Sequence, residues 1–391
     1  MAQRAKDQRF LCPVAARCGG CQLNRMSYAQ QLQHKQTMVE ELLAPYCRVE
    51  PIKGMKNPFH YRNKVHAVLA VDKRGTPVSG VYAAGTHRVV PVKHCLIEDE
   101  RADRVIQTIV ELLPAFKLRV YNEYTHRGFL RHVLIRTGQF TGEMLVVLVA
   151  TSLEMPGKRA FVEALRARCP EITSLVLNEN NRQTSMVLGK RETVLFGPGY
   201  LEDELCGKRF RISPQSFYQV NAQQAEVLYE TAIRLAGFTG KETVLDAYCG
   251  TGTIGLCASD HIARLVGVEL NADAVRDAKE NARRNGVENA AFICEDAGRY
   301  MVKQAREGNA PDVVIMDPPR AGSDMSFLRS LLTLGPKKIV YVSCNPETLA
   351  RDVAVLCSGG YRAETAVPVD MFPCTEHVET VVLLSKLNAG R

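Results

Sequence analysis

Three groups of residues in this chain could do chemistry. The first is a thiol and a carboxylate. Ser343-Cys344-Asn345-Pro346 follows directly on KKIVYVS, an apolar run that reads as a strand, so the sulfur stands at a strand's carboxyl edge, where a cysteine can act as a covalent nucleophile. Glu379, in His377-Val378-Glu379-Thr380 at the start of the last apolar run, is a carboxylate placed to take up a proton. The second group is Cys12, Cys18 and Cys21, spaced C-x5-C-G-G-C. Gly19 and Gly20 lack a Cβ, so the chain can turn tightly and bring sulfurs onto one centre. Three thiolates need a fourth to close a tetrahedral metal site or a [4Fe–4S] cluster; Cys95 in VPVKHCLIED is the candidate, and spacing does not separate zinc from iron–sulfur.

The third group surrounds a glycine-rich turn, DAYCGTGTIGL, at 246–256. Its glycines, Gly250 among them, allow close backbone approach to a nucleotide, a feature shared by NAD sites. Glu269 ends the next strand, 23 residues after Asp246, where a carboxylate can bind ribose hydroxyls; Asp296 ends the third strand, a position suited to an adenine edge. The fourth strand ends in Asp317-Pro318-Pro319-Arg320, a D-P-P loop typical of enzymes that use S-adenosylmethionine, where it faces the target base. Such strand ends converge at a topological switch point. A thiol there has a use if the base is uracil. C5 is a poor nucleophile until a thiolate adds to C6, after which C5 can attack the methyl group and its proton must be removed by a base.

The elements that must hold these groups follow from pattern. SYAQQLQHKQTMVEELLA, 27–44, reads as a helix with Ser27 as N-cap, an apolar stripe of Leu32, Met38, Val39, Leu42 and Leu43, and Pro45 as terminator. From 55 to about 205, short strands with turns and one helical stretch, EDERADRVIQTIVELL, suggest an α+β domain on an antiparallel sheet. His60-Tyr61-Arg62-Asn63-Lys64 and Arg127-Gly128-Phe129-Leu130-Arg131-His132 interleave basic and aromatic residues, as RNA contact requires. After 205, continuous apolar strands alternate with helices and end in a hairpin, the signature of a doubly wound parallel sheet.

Composition agrees. The 391 residues are 46% hydrophobic and 24% charged, which excludes a disordered chain. The longest apolar run is Met144 to Ala150, far short of the ~20 residues of a membrane span. MAQRAKDQRF has no apolar segment behind it, so the expectation is a cytoplasmic protein with no secretory signal and no membrane partner. Thirteen cysteines, an odd number, argue against a disulfide framework. Residues 1–90 hold 14 Lys and Arg against 5 Asp and Glu, whereas the remainder is nearly neutral, so an anionic partner is expected at the first quarter.

The cysteine pattern together with FYQVN (217–221), DAYCGTGTIGL, DPPR, SCNP and HVET resembles the RNA uracil-C5 methyltransferase family, over nearly the whole chain from Cys12 to Thr380. The resemblance is to its iron–sulfur 23S rRNA branch, and it implies the following. The fold is α/β: residues 1–54 form an N-terminal iron–sulfur segment and helix, 55–205 a central α+β RNA-binding domain, and 206–391 a doubly wound, seven-stranded class I methyltransferase domain. Cys344 is the nucleophile and Glu379 the base; Gln219, Tyr248, Glu269 and Asp317 belong to the S-adenosylmethionine site, with Gln219 and Asp317 also facing the uracil; Cys12, Cys18, Cys21 and Cys95 hold a [4Fe–4S] cluster. Thr253 stands where some members have Asn, and no β-barrel (TRAM) domain is expected ahead of the cluster. The reaction implied is 5-methyluridine formation by a monomer acting on 23S rRNA, free or in early assembly intermediates. The alternatives are the same reaction on tRNA and an iron–sulfur RNA-binding protein with an inactive fold.

Overall fold

The computed structural model describes residues 11–183 and 186–387; the basic residues before Leu11 lie outside these. A single helical turn at Ala15–Cys18 precedes the helix Tyr28–Leu43, which matches the expected segment. Ser27 caps it through a capping box with Gln30. The buried face keeps Val39 and Leu43 of the apolar stripe seen in the sequence but is turned toward polar residues, leaving Leu32, Met38 and Leu42 at its margin. Tyr28, Gln31, Lys35, Val39 and Leu43 point inward, and two of the five are polar. Their partners come from the far end of the chain. Lys35 Nζ meets Asp370 Oδ1 at 2.5 Å with both side chains fully buried, and the Tyr28 hydroxyl donates to Asp370 Oδ2 at 2.8 Å. Strand β1 (Arg48–Val49) follows.

Seven strands then form one sheet: β2 (Lys64–Val71), β3 (Pro77–Tyr82), β4 (Val89–Pro91), β5 (Leu130–Thr137), β6 (Met144–Ala150), β7 (Ser174–Glu179) and β8 (Arg191–Phe196), in the order β4-β3-β2-β5-β6-β7-β8. All neighbours are antiparallel except β6 and β7. A parallel pair needs a crossover. That crossover supplies the helix Lys158–Arg168, which the strand-dominated pattern conceals, beside the expected helix Glu100–Ala115. Both helices bury one face of the sheet, Val133, Ile135, Val146 and Leu148 packing with Ile109 and Phe161. The other face, through Leu145, Val147 and Val149, joins the core of the C-terminal half. A hairpin of β9 (Leu201–Leu205) and β10 (Lys208–Ile212) stands between the two.

The C-terminal sheet contains β11 (Thr243–Ala247), β12 (Arg264–Glu269), β13 (Ala290–Cys294), β14 (Val313–Met316), β15 (Lys338–Ser343), β16 (Tyr361–Val369) and β17 (Glu379–Lys386). The order is β1-β16-β17-β15-β14-β11-β12-β13, with β17 antiparallel between β15 and β16, so the last two strands pair as the sequence suggests. There are eight strands where seven were expected, because β1 pairs in parallel with β16. Val39 and Leu43 of the N-terminal helix share a core with Phe327, Tyr341 and Leu356. The N-terminal segment therefore packs on the C-terminal sheet and extends its edge. The order reverses at β11, between β12 and β14, and this brings the carboxyl ends of β11, β12, β14 and β15 to one rim. Among the described residues no helix is long and apolar enough to cross a membrane.

Removing one partner of a buried ion pair strands the other, at about 3–5 kcal/mol. Lys35→Met should lower the unfolding free energy by about that much in urea titrations. Lys35→Met combined with Asp370→Asn, which removes the stranded charge, should cost less than Lys35→Met alone; additive losses would contradict the pairing.

Candidate active site

The rim holds a cavity of about 510 Å³. Gln219, Tyr248, Gly250, Glu269, Asp317, Cys344 and Glu379 all line it, so seven of the eight residues read from the sequence as catalytic or cofactor-binding share one space. The eighth, Asp296, lines a neighbouring depression instead. Its carboxylate is occupied as the N-cap of the helix Ala297–Glu307, accepting from Arg299 N–H at 2.9 Å.

The glycine turn is held by two carboxylates. Glu269 accepts from Gly250 N–H at 3.1 Å and from Asn271 N–H at 2.8 Å. Asp246 lies beneath the turn and accepts from Gly255 N–H at 2.9 Å; a Cβ at Gly255 would sit 2.8 Å from that carboxylate oxygen, which is why only glycine fits. Tyr248 adopts φ +65°, an unfavourable conformation for a side-chain-bearing residue of the kind that functional sites retain. Thr253 bonds to the Tyr229 hydroxyl at 3.2 Å and also lines the cavity.

The reacting edge is built from two loops tied together. Asn345 Nδ2 donates to Arg320 O at 3.1 Å and Thr348 Oγ1 to the same oxygen at 3.2 Å, fixing the D-P-P-R loop against the S-C-N-P loop. Asn345 and Pro346 also start the helix Pro346–Ser358, so the thiol sits between a strand end and a helix start.

The electrostatics are acidic and dry. Burial pushes the Asp317 carboxyl up to about 7. Burial, and then Asp317, push Glu379 up to about 8, with Arg320 opposing. Burial also raises Asp246 to about 7, and Asp317 and Glu269 add to it. The Cys344 thiol is raised to about 11 by burial and by Glu379 and Asp317, while Arg320 draws it down. Such a cavity suits a ligand that brings positive charge beside the thiol.

Sequence reading gave no role to several residues that shape this site. Arg320 and His377, whose side chains lie 3.4 Å apart, sit within quoted motifs, which was the available signal. Phe217, 66% exposed, stands at the lining as an aromatic face. Arg62 also lines the cavity. Its neighbours in the basic–aromatic stretches behave otherwise: Tyr61, Arg131 and His132 are buried, with Tyr61 donating to Pro373 O at 3.0 Å and Arg131 to Asn180 O at 2.9 Å. They stabilise the interior and do not present a surface for RNA.

A second cavity, about 480 Å³, lies beyond Arg62 and Val220, which line both. Cys12, Cys18, Cys21 and Cys95 all line it, joined by Cys374. Its walls include Val14, Val81 and Val92; its cations are Arg62 and Lys64, Glu98 lies in the same lining, and burial followed by Lys64 lowers the His66 imidazole to about 4, so it is neutral. Burial, then Arg136 and Arg62, bring the Lys64 ammonium down to about 8, the sign of positive charge lacking a counterion. The His66 Nε2 atom is buried with no hydrogen-bond partner among the described residues. As they stand, no three His, Cys, Asp or Glu side chains of the described residues meet closely enough to hold a single metal ion.

Known proteins share this organisation. The family model for tRNA (uracil-5-)-methyltransferases matches residues 27–387. An uncharacterized RNA methyltransferase of Halalkalibacterium halodurans is 42% identical over 382 residues, 96% of this chain and 83% of that protein. Another, from Caldanaerobacter subterraneus subsp. tengcongensis, is 42% identical over 381 residues, 96% of this chain and 84% of its own. The crystal structure of Pyrococcus abyssi tRNA (uracil-54, C5)-methyltransferase in complex with S-adenosyl-L-homocysteine superposes with a TM-score of 0.76 at 29% identity, covering 93% of this chain and 85% of that one.

The acidic cavity makes a pH prediction. A cation bound there favours ionised carboxylates, so its binding releases protons and strengthens as pH rises through the raised values of about 7 to 8. Between pH 6.5 and 8 the increase in melting temperature given by S-adenosylmethionine should grow relative to that given by S-adenosylhomocysteine, which lacks the sulfonium charge. Equal increments across this range, measured by scanning calorimetry, would contradict it.

Proposed function

The chain belongs to the tRNA (uracil-5-)-methyltransferase family of S-adenosylmethionine-dependent RNA methyltransferases, and on that premise we propose that it converts a uridine of 23S rRNA to 5-methyluridine. One observation carries the chemistry: the Cys344 thiol shares an acidic cavity with Glu379, Asp317 and the glycine turn. Gln219, Tyr248, Glu269 and Asp317 would hold S-adenosylmethionine, which supplies an electrophilic methyl group when bound. The rest falls to the chain's own residues. Cys344 gives up its proton to solvent and adds as thiolate through Sγ to C6 of the uracil, converting C5 into the nucleophilic carbon of an enolate. Arg320 favours the thiolate, since it draws the thiol's pKa down. After C5 is methylated, Glu379 takes the C5 proton; the C6–S bond then breaks and the sulfur leaves as thiolate. Glu379, raised to about 8 in the empty cavity, becomes a carboxylate more readily once positive charge is present. Phe217 offers a face for stacking at the mouth.

The second cavity supports a [4Fe–4S] cluster on Cys12, Cys18, Cys21 and Cys95. The four sulfurs line the walls of one space rather than meeting at a point. That suits a cubane, whose four cysteines bind four separate irons, better than a single zinc with sulfurs ~2.3 Å away. At about 480 Å³ the space far exceeds the ~30 Å³ share of one water, and its Arg62 and Lys64 suit an anionic occupant. Methyl transfer moves no electrons, so the cluster's work is to order the basic N-terminal region for RNA. The four-cysteine pattern, by its resemblance to the 23S rRNA branch, supports 23S rRNA as substrate. The Pyrococcus abyssi neighbour, named for uracil 54 of tRNA, favours tRNA as the second reading.

The test supplies methyl-labelled S-adenosylmethionine with 23S rRNA and with tRNA in parallel. Label on uracil C5 of rRNA is expected; label only on tRNA would move the substrate, and no label on uracil in either would overturn the reading. Glu379→Gln should slow product release by about 10²–10⁴-fold, the usual worth of a general base, and accumulate a methylated RNA–protein adduct on denaturing gels. Release at the wild-type rate would make Glu379 structural.

A further inference from the structure

The connection 370–378 between β16 and β17 separates two cavities. Phe372 and His377 line the active-site cavity, and the connection ends at Glu379. Cys374, between them in sequence, lines the cysteine cavity. Its side chain is 1% exposed and packs with Tyr28, Met55, Tyr61 and Ile97, against Cys21 and Cys95. Its backbone is pinned on both sides: Cys374 N–H donates to Gln31 Oε1 at 2.8 Å, and Cys374 O accepts from Leu23 N–H at 2.9 Å. Gln31 Nε2 also points at its sulfur, at 4.0 Å. Its φ is +71°, the left-handed region a cysteine enters only under constraint. The Cys374 side chain packs in the cluster against which Cys21 lies, and both line the same cavity. The sulfur of a metal ligand can accept a hydrogen bond and not donate one, so in any bond between the two Cys374 is the donor.

We propose that Cys374 is a positioning residue that couples the four-cysteine site to catalysis: its S–H donates to the Cys21 sulfur, and through this bond a filled site holds 371–378, with His377 and Glu379, in working geometry. The inference rests on the cluster reading of the four cysteines. It differs from the positioning that metal ligands themselves provide, because Cys374 is an outer partner of one ligand and belongs to the catalytic connection. No other segment among the described residues places side chains in both cavities and also carries the proposed base.

The test compares wild type with Cys374→Val, which keeps the volume and loses the donor, and Cys374→Ser, which keeps a donor. All are purified anaerobically, with iron analysis, visible absorbance, amide hydrogen exchange and steady-state kinetics on each. About four irons are expected in every protein. Cys374→Val should exchange faster across 371–378, shift the cluster's reduction potential, and lose about fivefold to tenfold in kcat, the worth of one hydrogen bond, with KM for S-adenosylmethionine unchanged. Cys374→Ser should restore exchange and kcat to within about threefold of wild type. Iron removal from wild type should raise exchange across 371–378 as Cys374→Val does. A Cys374→Val protein equal to wild type, or a Cys374→Ser protein no better than it with iron intact, would overturn the proposal and leave Cys374 a filler of space. Iron-free wild type would instead overturn the cluster reading, and this proposal with it; elemental analysis tells the two failures apart.

Discussion

A lysine and an aspartate with no exposed surface hold the working parts of this protein together. Charges are buried only where each is neutralised and its remaining valences are met. Asp370 satisfies this completely: Lys35 and Tyr28 take its two carboxylate oxygens, its N–H donates to Lys53 O at 3.0 Å, and its carbonyl accepts from Gln224 Nε2 at 2.9 Å. Lys35 makes one further bond, to Phe372 O at 3.0 Å. The N-terminal helix, the approach to the central sheet, the helix Ala222–Ala236 and the connection to Glu379 thus meet at one dehydrated point. Both cavities take their shape from it, since the chain passes from Asp370 directly into the segment that walls them. A loosened pair would reach catalysis without touching a reacting atom.

The chemistry is set by a second constraint. Asp246 and Glu379 are buried and Asp317 half-buried near one another at the rim, with Glu269 beside them, and desolvation pushes each of the three toward its neutral form. The arrangement is poorly suited to an empty cavity and well suited to a sulfonium ligand, which turns those carboxyls into carboxylates where one must serve as a base. Burial, with Glu379 and Asp317 behind it, keeps the Cys344 thiol protonated at rest. Reactivity therefore depends on occupancy, and a thiol of this kind is protected from modification until substrate arrives.

Much of the active site was legible because it is assembled from strand ends. The glycine turn, D-P-P-R, S-C-N-P and H-V-E-T are each a few residues long, and a doubly wound topology carries all four to one rim. Asp296 has the same kind of position but spends its carboxylate on a helix cap, a competing use that the sequence permits equally. The two-residue strand β1 has no pattern to detect. Val39 and Leu43 on the inward face of the helix Tyr28–Leu43 were legible, but Lys35 was not, because it belongs on a polar stripe until its partner is known, and that partner lies 335 residues away. Cys374 escaped for the same reason: local spacing groups Cys12, Cys18 and Cys21, while only the fold brings Cys374 into their cavity. Arg62, read as part of a basic–aromatic stretch suited to RNA contact, proves to line both cavities.

The central claim is that Cys344 forms a bond to C6 of uracil in RNA. The most direct measurement uses 5-fluorouridine-substituted 23S rRNA fragments with S-adenosylmethionine, because fluorine replaces the proton whose removal frees the sulfur. Protease and nuclease digestion followed by mass spectrometry should give the peptide containing Cys344 carrying a methylated fluorouridine. An unmodified Cys344 peptide in a reaction that methylates unsubstituted RNA, or an adduct on another cysteine, would contradict the account.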